Sequence, residues 1–370
     1  MSPALGDGGP EDGTPVRVVL AGCGAIGELV ARRVYAAASP QEYQLVAAID
    51  PRAERGRAVG EVLGVPAYPS VQAAVDDGVV IDAVDIRTPH AAHADTACDA
   101  LARGWHVLVE KPLATTLADG ERIRHAAAAS GRVAAVAENY PHLRAVRAAR
   151  DAIGSGAVGD VLALRSTRVF TLDGVWLRDG WRRDGGPSAG LLLDQGTHHT
   201  SLLRFLGGPI TEVTAQASAP GGRGSGGAAG TADTLLLTVR FASGLAAQSL
   251  YSWTAFAREA EAEGTVVGSR GRIEIRVSYD SDGGGAYLWD ADHPDGRAIA
   301  PAENYYDSHR AIVEDWVTAI RSGGKPLVTV DDGLADLAVV LAAGRSLQAG
   351  GHPVHTTGPA GAGEPRRTGA

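Results

Sequence analysis

Lysine is almost absent from this chain: of 34 basic residues two are lysines, Lys111 and Lys325, and the rest are arginines. Cysteine is scarce as well. Cys23 and Cys98 form no disulfide framework and have no metal-ligand spacing, so no metal site is expected, and Cys98 in its alanine-rich stretch reads as a small core residue. No run approaches the ~20 apolar residues of a membrane span. The opening MSPALGDGGPEDGTP lacks the basic-then-apolar order of a secretory signal. A formal net charge of −9 gives a nucleic acid or an anionic membrane nothing to bind. These absences leave a cytoplasmic globular protein whose partner is a small molecule.

What is present fits that class. The chain has 370 residues, 45% of them hydrophobic and 21% charged, enough for two domains. Residues 1–14 and the tail from 358 to 370 are rich in Gly and Pro without periodicity and read as disordered ends. From 15 to 138 short apolar runs (VRVVLA, LVAAID, DAVDIR, WHVLVE, RVAAVAE) alternate with helical stretches, the pattern of a doubly wound parallel sheet of Rossmann type. From 139 to 357 one helix precedes a series of strand patterns with little helix between them, and two helices follow. That order points to an α+β domain with a large, mostly antiparallel open sheet. GGRGSGGAAG, at 221–230, reads as a flexible hairpin tip.

Three motifs carry chemistry. The first strand runs into GCGAIG, where Gly22, Gly24 and Gly27 have G-x-G-x-x-G spacing and a helix begins at once. The glycines permit a tight turn, close backbone approach to a pyrophosphate and close helix packing, and the helix amides hold the phosphate charge. The whole turn, Gly22, Cys23, Gly24, Ala25, Ile26 and Gly27, is therefore expected at a dinucleotide, although a Gly-rich turn alone also occurs in unrelated α/β proteins. Asp50 ends the second strand, where a carboxylate accepts hydrogen bonds from ribose hydroxyls and repels a 2′-phosphate. NAD is the expected cofactor, with NADP as second choice because Arg52 and Arg55 stand close by.

The second motif is EKP. Arginine cannot lose its proton at working pH, whereas a lysine in a cleft can donate one, so an ammonium retained at Lys111 suggests use in chemistry. A solvated lysine at a strand end is the plain alternative, and it is the better account of Lys325 in SGGKP. The third is LLLDQGTHHTSLL. Asp194 and His198 are four apart and share a helix face. With the helix starting near Asp194 or Gly196, His198 falls in the first turn, where the dipole favours the neutral imidazole that a general base requires. Asp194 as an N-cap with a satisfied His198 is the alternative, and His199, pointing away, reads as structural.

With GCGAIG, Asp50, RTPHAAH, EKP and D-x-G-x-H in order over about residues 15–355, the chain resembles the family of glucose–fructose oxidoreductase and inositol dehydrogenase (Gfo/Idh/MocA). That resemblance implies an NAD(P)-dependent dehydrogenase or ketoreductase acting on a secondary alcohol of a sugar or cyclitol. It implies catalytic roles for Lys111, His198 and Asp194, and places Thr88, Pro89, His93 and Glu110 beside the cofactor with Lys111. Tyr140, Trp181 and Tyr305 become candidate substrate contacts alongside Lys111, Asp194 and His198. One face of the second sheet is implied to join subunits into a dimer or tetramer. A glycoside-cleaving enzyme working by transient oxidation, or a non-catalytic dinucleotide sensor, is the alternative function. The glycine run usual before D-x-G-x-H is interrupted here by Pro187 and Ser188, which puts substrate identity in doubt more than reaction class.

Overall fold

A computed structural model describes residues 13–39, 41–171, 190–218, 234–253, 262–279 and 283–356. The first half forms a six-stranded parallel sheet from β1 (Val16–Ala21), β2 (Tyr43–Ile49), β3 (Ala67–Tyr68), β4 (Ala83–Ile86), β5 (His106–Glu110) and β6 (Ala134–Ala137), in the order β3-β2-β1-β4-β5-β6. β4 and β5 are buried at every position and β1 at all but one, which explains why these runs are mostly apolar and do not alternate. The helices between them are α1 (Ala25–Arg33), α2 (Ala53–Leu63), α3 (Val71–Asp76), α4 (His93–Ala102) and α5 (Leu117–Ser130). Strand order reverses between β1 and β4, and ligands of open α/β sheets bind outside the carboxyl ends of the strands at such a switch.

The second half opens with α6 (Arg144–Gly154) and β7 (Val161–Val169) and continues through α7 (Leu191–Gly207). Then come β8 (Ile210–Ser218), β9 (Thr234–Phe241), β10 (Ala246–Ser252), β11 (Gly264–Gly268), β12 (Gly271–Arg276), β13 (Gly285–Asp290) and β14 (Arg297–Ala300). Helices α8 (Ser308–Ser322) and α9 (Val330–Gln348) and the short β15 (Val354–His355) follow. The nine strands run β14-β13-β12-β11-β7-β10-β9-β8-β15, antiparallel throughout except the parallel pair β7–β10. β9 alternates buried and exposed positions, as a sheet with one covered face must. α6, α7 and α9 cover that face.

Sequence periodicity missed β3, α3, β11, β14 and β15. Most are two to five residues long, too short to display a period. The chain also returns to its first half. Ile312, Val313, Trp316, Val317 and Ile320 of α8 pack against Val16, Val18, Tyr43, Leu108 and Ala135 of the first sheet. Nearby, the amide of Val136 donates to Val328 O at 3.1 Å. Leu193 of α7 joins Ala114, Leu337 and Val340 in a small apolar cluster that locks α7 and α9 onto the segment after β5. Residues 1–12 and 358–370 of the ends expected to be disordered, the Gly-rich stretch 221–230 and the Pro187/Ser188 interruption lie outside the described residues.

Trp316 is fully buried at the centre of the α8 contact. Trp316→Ala is expected to cost about 3–5 kcal/mol of unfolding free energy, read by urea denaturation of the cofactor-free protein. A cost below about 1 kcal/mol would mean that α8 does not seal the first sheet.

Candidate active site

The cofactor side is built by the carboxyl ends of β1, β2 and β4. Gly22 has φ +98°, and a Cβ there would lie 2.5 Å from the carbonyl oxygen of Arg87. A Cβ on Gly27 would lie 1.9 Å from Gly22 O, so the third glycine is what allows α1 to start so close to the turn. Gly24 is the residue before α1, and Gly22, Gly24, Ala25 and Ile26 line one continuous cleft. Asp50 lines it too. Its carboxylate accepts from the backbone N–H of Cys23 at 2.9 Å and of Arg52 at 2.9 Å, tying the glycine turn to the end of β2. Cys23 takes part through its backbone. Burial, then Asp50, pushes its thiol up to about 12, so it stays protonated.

Thr88, Pro89 and Glu110 continue the cleft, and Thr88 Oγ1 is buried without a hydrogen-bond partner. A glycine cradle, an acid at the β2 end and an orphaned hydroxyl on one wall fit a dinucleotide. His93 is placed differently: fully buried and off the cleft wall, its ring nitrogens face Pro112 O at 2.8 Å and Thr88 O at 2.9 Å. It pins the segment after β4 to the segment after β5. Burial first, with Arg87 and Lys111 adding, holds its pKa below the ordinary histidine value. On the cleft wall, Arg87 donates to Asp85 at 2.6 Å and to Glu110, and behind it Tyr35 donates to Asp85 at 2.9 Å. Burial pushes the Glu110 carboxyl up against the opposing pull of Arg87 and Lys111.

On the substrate side, Lys111 leaves β5 just before a cis bond to Pro112. Its Nζ donates to Asp194 Oδ1 at 2.8 Å and to the Asp194 carbonyl at 2.9 Å. Asp194 and His198 do share a face of α7, and both line the cleft with Lys111. The start of α7 differs from the sequence expectation: it begins at Leu191, because Leu191 and Leu193 are already part of its buried face. Asp194 lies in the first turn, whereas His198 lies a turn beyond it, outside the reach of the helix dipole. What holds His198 is a carboxylate. Its Nδ1 lies 2.8 Å from Oε1 of Glu138, a residue with no solvent exposure. His199, by contrast, stacks on Tyr251 at 5.0 Å, and burial depresses its pKa well below the ordinary value.

Tyr140 stands behind the cleft wall. Its ring centroid is 5.6 Å from that of His198, its N–H donates to Glu138 at 3.2 Å and its hydroxyl donates to Glu263. Tyr305 does line the cleft, with its ring 6.4 Å from His198 and 4.5 Å from Tyr279. Trp181 lies outside the described residues.

Sequence reasoning missed Glu138, Asn139, Arg168, Glu263, Tyr279 and His309. Arg168 lies against the Tyr279 ring at 3.7 Å, donates to Glu263 at 2.7 Å and lines the cleft. Asn139 donates to Ser308 at 2.8 Å, which brings the start of α8 and His309 to the site. Glu138 and Asn139 were within reach, since they share AENYPH with Tyr140. Arg168, Glu263 and Tyr279 sit in or beside strands, with no spacing to mark them. Among the described residues no group of three or more His, Cys, Asp or Glu is arranged for a metal, and no helix is long and apolar enough to cross a membrane.

Comparison with known proteins identifies the family. Residues 16–138 match the family described as "Oxidoreductase family, NAD-binding Rossmann fold", and residues 146–274 match the "GFO/IDH/MocA C-terminal domain". The chain is 32% identical over 305 residues to 1,5-anhydro-D-fructose reductase of Ensifer adhaerens, covering 81% of this chain and 87% of that one. It is 25% identical over 358 residues to myo-inositol 2-dehydrogenase of Thermotoga maritima, covering 90% and 96%. In three dimensions an oxidoreductase from Agrobacterium radiobacter, solved with NAD+, L-tartaric acid and magnesium, shares the fold at a TM-score of 0.79 and 21% identity, over 92% of this chain and 98% of that one. The chain thus belongs to the Gfo/Idh/MocA family of oxidoreductases, with its NAD-binding Rossmann domain spanning the glycine turn and Asp50.

Proposed function

We propose that the protein oxidises a secondary alcohol of a sugar, sugar derivative or cyclitol, or reduces the matching ketone, with Lys111, Asp194 and His198 doing the chemistry. The observation that carries this reading is convergence. Lys111 from the first half and His198 from the second line one cleft with the glycine turn, and Asp194 bridges them, bonded to Lys111 and one helical turn from His198. NAD, when bound, supplies the hydride acceptor. Gly22, Gly24, Ala25 and Ile26 would hold its phosphates, Asp50 its adenosine ribose, and Thr88, Pro89 and Glu110 its nicotinamide end.

His198 accepts the hydroxyl proton during oxidation and returns it during reduction. The Lys111 ammonium faces the oxygen on which negative charge develops, where a preplaced cation is worth most. Asp194, anchored by that ammonium, keeps carboxylate lone pairs for a neighbouring hydroxyl, the group that distinguishes a polyol from a simple alcohol. Arg168 and Tyr305 stand on the same wall and suit further hydroxyls.

The 1,5-anhydrofructose and inositol named for its relatives support this substrate class. The backbone N–H groups that Asp50 already holds support NAD over NADP, because they keep the carboxylate at the β2 end. Leu162, Leu236 and Val267 on strands of the nine-stranded sheet are 59%, 39% and 40% exposed, which supports a homo-oligomer formed through that sheet. The two free cysteines support a cytoplasmic location.

Lys111→Ala and His198→Asn are each expected to lower kcat by about 10²–10⁴-fold on a panel of neutral sugars and cyclitols, followed at the nicotinamide absorbance. NAD binding, followed by fluorescence titration, should persist in both. Full turnover in either variant would remove these roles. Gly27→Ala should do the reverse, weakening NAD binding by at least about tenfold through displacement of α1, and wild-type affinity would overturn the cradle.

A further inference from the structure

We propose that Glu138 is a positioning residue for the reaction: it fixes His198 as the tautomer protonated on Nδ1 and offsets the charge that the imidazole gains when it takes the substrate proton. This inference rests on His198 being the base. Glu138 follows β6 directly, and its surroundings hold it from three sides. The Tyr140 N–H donates to Oε1 at 3.2 Å, His142 Nδ1 lies 2.9 Å from its backbone carbonyl, and the next residue, Asn139, is tied to Ser308 at 2.8 Å. Oε1 therefore has one place to be, and His198 Nδ1 lies 2.8 Å from it.

The protonation states follow from the surroundings. Burial works against the Glu138 charge, but His198, then Lys111 and the Tyr140 amide, outweigh it and hold the carboxyl below the usual carboxylate range. An ionised carboxylate has no proton to give, so the hydrogen on this contact belongs to Nδ1, and in the neutral imidazole the lone pair then belongs to Nε2. During oxidation the substrate O–H bond breaks and its proton bonds to Nε2. The electron pair left on oxygen forms the carbonyl as the hydride departs from carbon to NAD. The imidazolium that results has the Glu138 carboxylate already in contact. The same logic orients the histidine of serine hydrolases, where the carboxylate sets tautomer and charge without itself taking the proton.

Other groups around the ring come from different elements: Lys111 and Glu110 from β5 and its end, Asp194 and His199 from α7, Tyr305 from the turn before α8 and His309 from the start of α8. Burial first, then the cations around it, keeps His309 well below the ordinary histidine value, and Tyr305 is likewise held protonated by burial. Neither changes charge near neutrality. Lys111 is ion-paired with Asp194. Glu138 is the carboxylate in direct contact with the imidazole.

Nitrogen NMR of the cofactor-free protein tests the tautomer, with His198 identified by its absence in His198→Gln. Nε2 should show the shift of a lone-pair nitrogen and Nδ1 that of an N–H. Glu138→Gln can still accept from Nδ1 through its carbonyl oxygen, so the tautomer should survive while the charge is lost. Without the anion the imidazolium releases its proton more readily. The acid limb of kcat/KM for oxidation should therefore move to lower pH, and its plateau should fall about 10–100-fold, because a weaker base works less well. Glu138→Asp, which keeps the charge on a shorter arm, should return the limb toward its original position. Glu138→Leu should scramble the tautomer and lose more activity. If Glu138→Leu does not fold, the wild-type spectrum and the Glu138→Gln profile decide alone. An Nε2–H tautomer in the wild type, or an unmoved limb in Glu138→Gln, overturns the proposal. Full turnover of His198→Asn would instead remove the base assignment on which it stands.

Discussion

An ammonium from the nucleotide-binding half and a carboxylate from the second half meet out of water, and the site is organised around that contact. Lys111 and Asp194 are both at least nine-tenths buried, and their 2.8 Å pair is joined by a second bond to the Asp194 carbonyl. Two ions taken out of water are costly, and breaking such a pair by removing one partner costs more than the pair is worth in stability. The contact therefore acts chiefly as a constraint. It holds the first turn of α7 against the end of β5, and the apolar cluster of Ala114, Leu193, Leu337 and Val340 supports the same joint beside it. With that turn placed, the 3.6-residue repeat carries His198 to the same wall.

Buried charge around the cleft follows one scheme. Arg87 is held by Asp85 and Glu110, Arg168 by Glu263, Lys111 by Asp194, and the His198 ring by Glu138. These four groups thus arrive with their own carboxylates, while burial keeps His309 on the same wall below the ordinary histidine value, and a bound substrate meets a rigid set of dipoles instead of loose charges. Such preorganisation costs no rearrangement when charge moves between substrate oxygen and imidazole. Neighbouring histidines have different fates for the same reason. His198 has a carboxylate and faces the cleft, His199 has an aromatic ring and faces the core, and His93 has two carbonyls and serves the backbone.

Much of the architecture was legible because long elements display a period. VRVVLA became β1 residue for residue, and the run of later strand patterns became the nine-stranded sheet. The start of α7 was misplaced by three to five residues. Asp194 and Gly196 look like a helix start, but Leu191 and Leu193 pack inward, and burial outweighed local preference. The return of α8 onto the first sheet left no trace in the sequence order, since an amphipathic helix does not announce which sheet will cover it.

Residue types and short spacings determined by themselves that a dinucleotide turn exists at 22–27, that an unusual ammonium stands at 111, and that an acid and a histidine share a helix face at 194 and 198. Those features depend on neighbours within one turn or one strand end. Tertiary structure decided that Lys111 reaches Asp194, that Glu138 backs His198, that Arg168 is held flat by Tyr279 and Glu263, and that His93 and Tyr140 stand behind the wall. Each is a contact between elements 19 to 123 residues apart. Direction and burial at that range are set by packing, which no local pattern encodes.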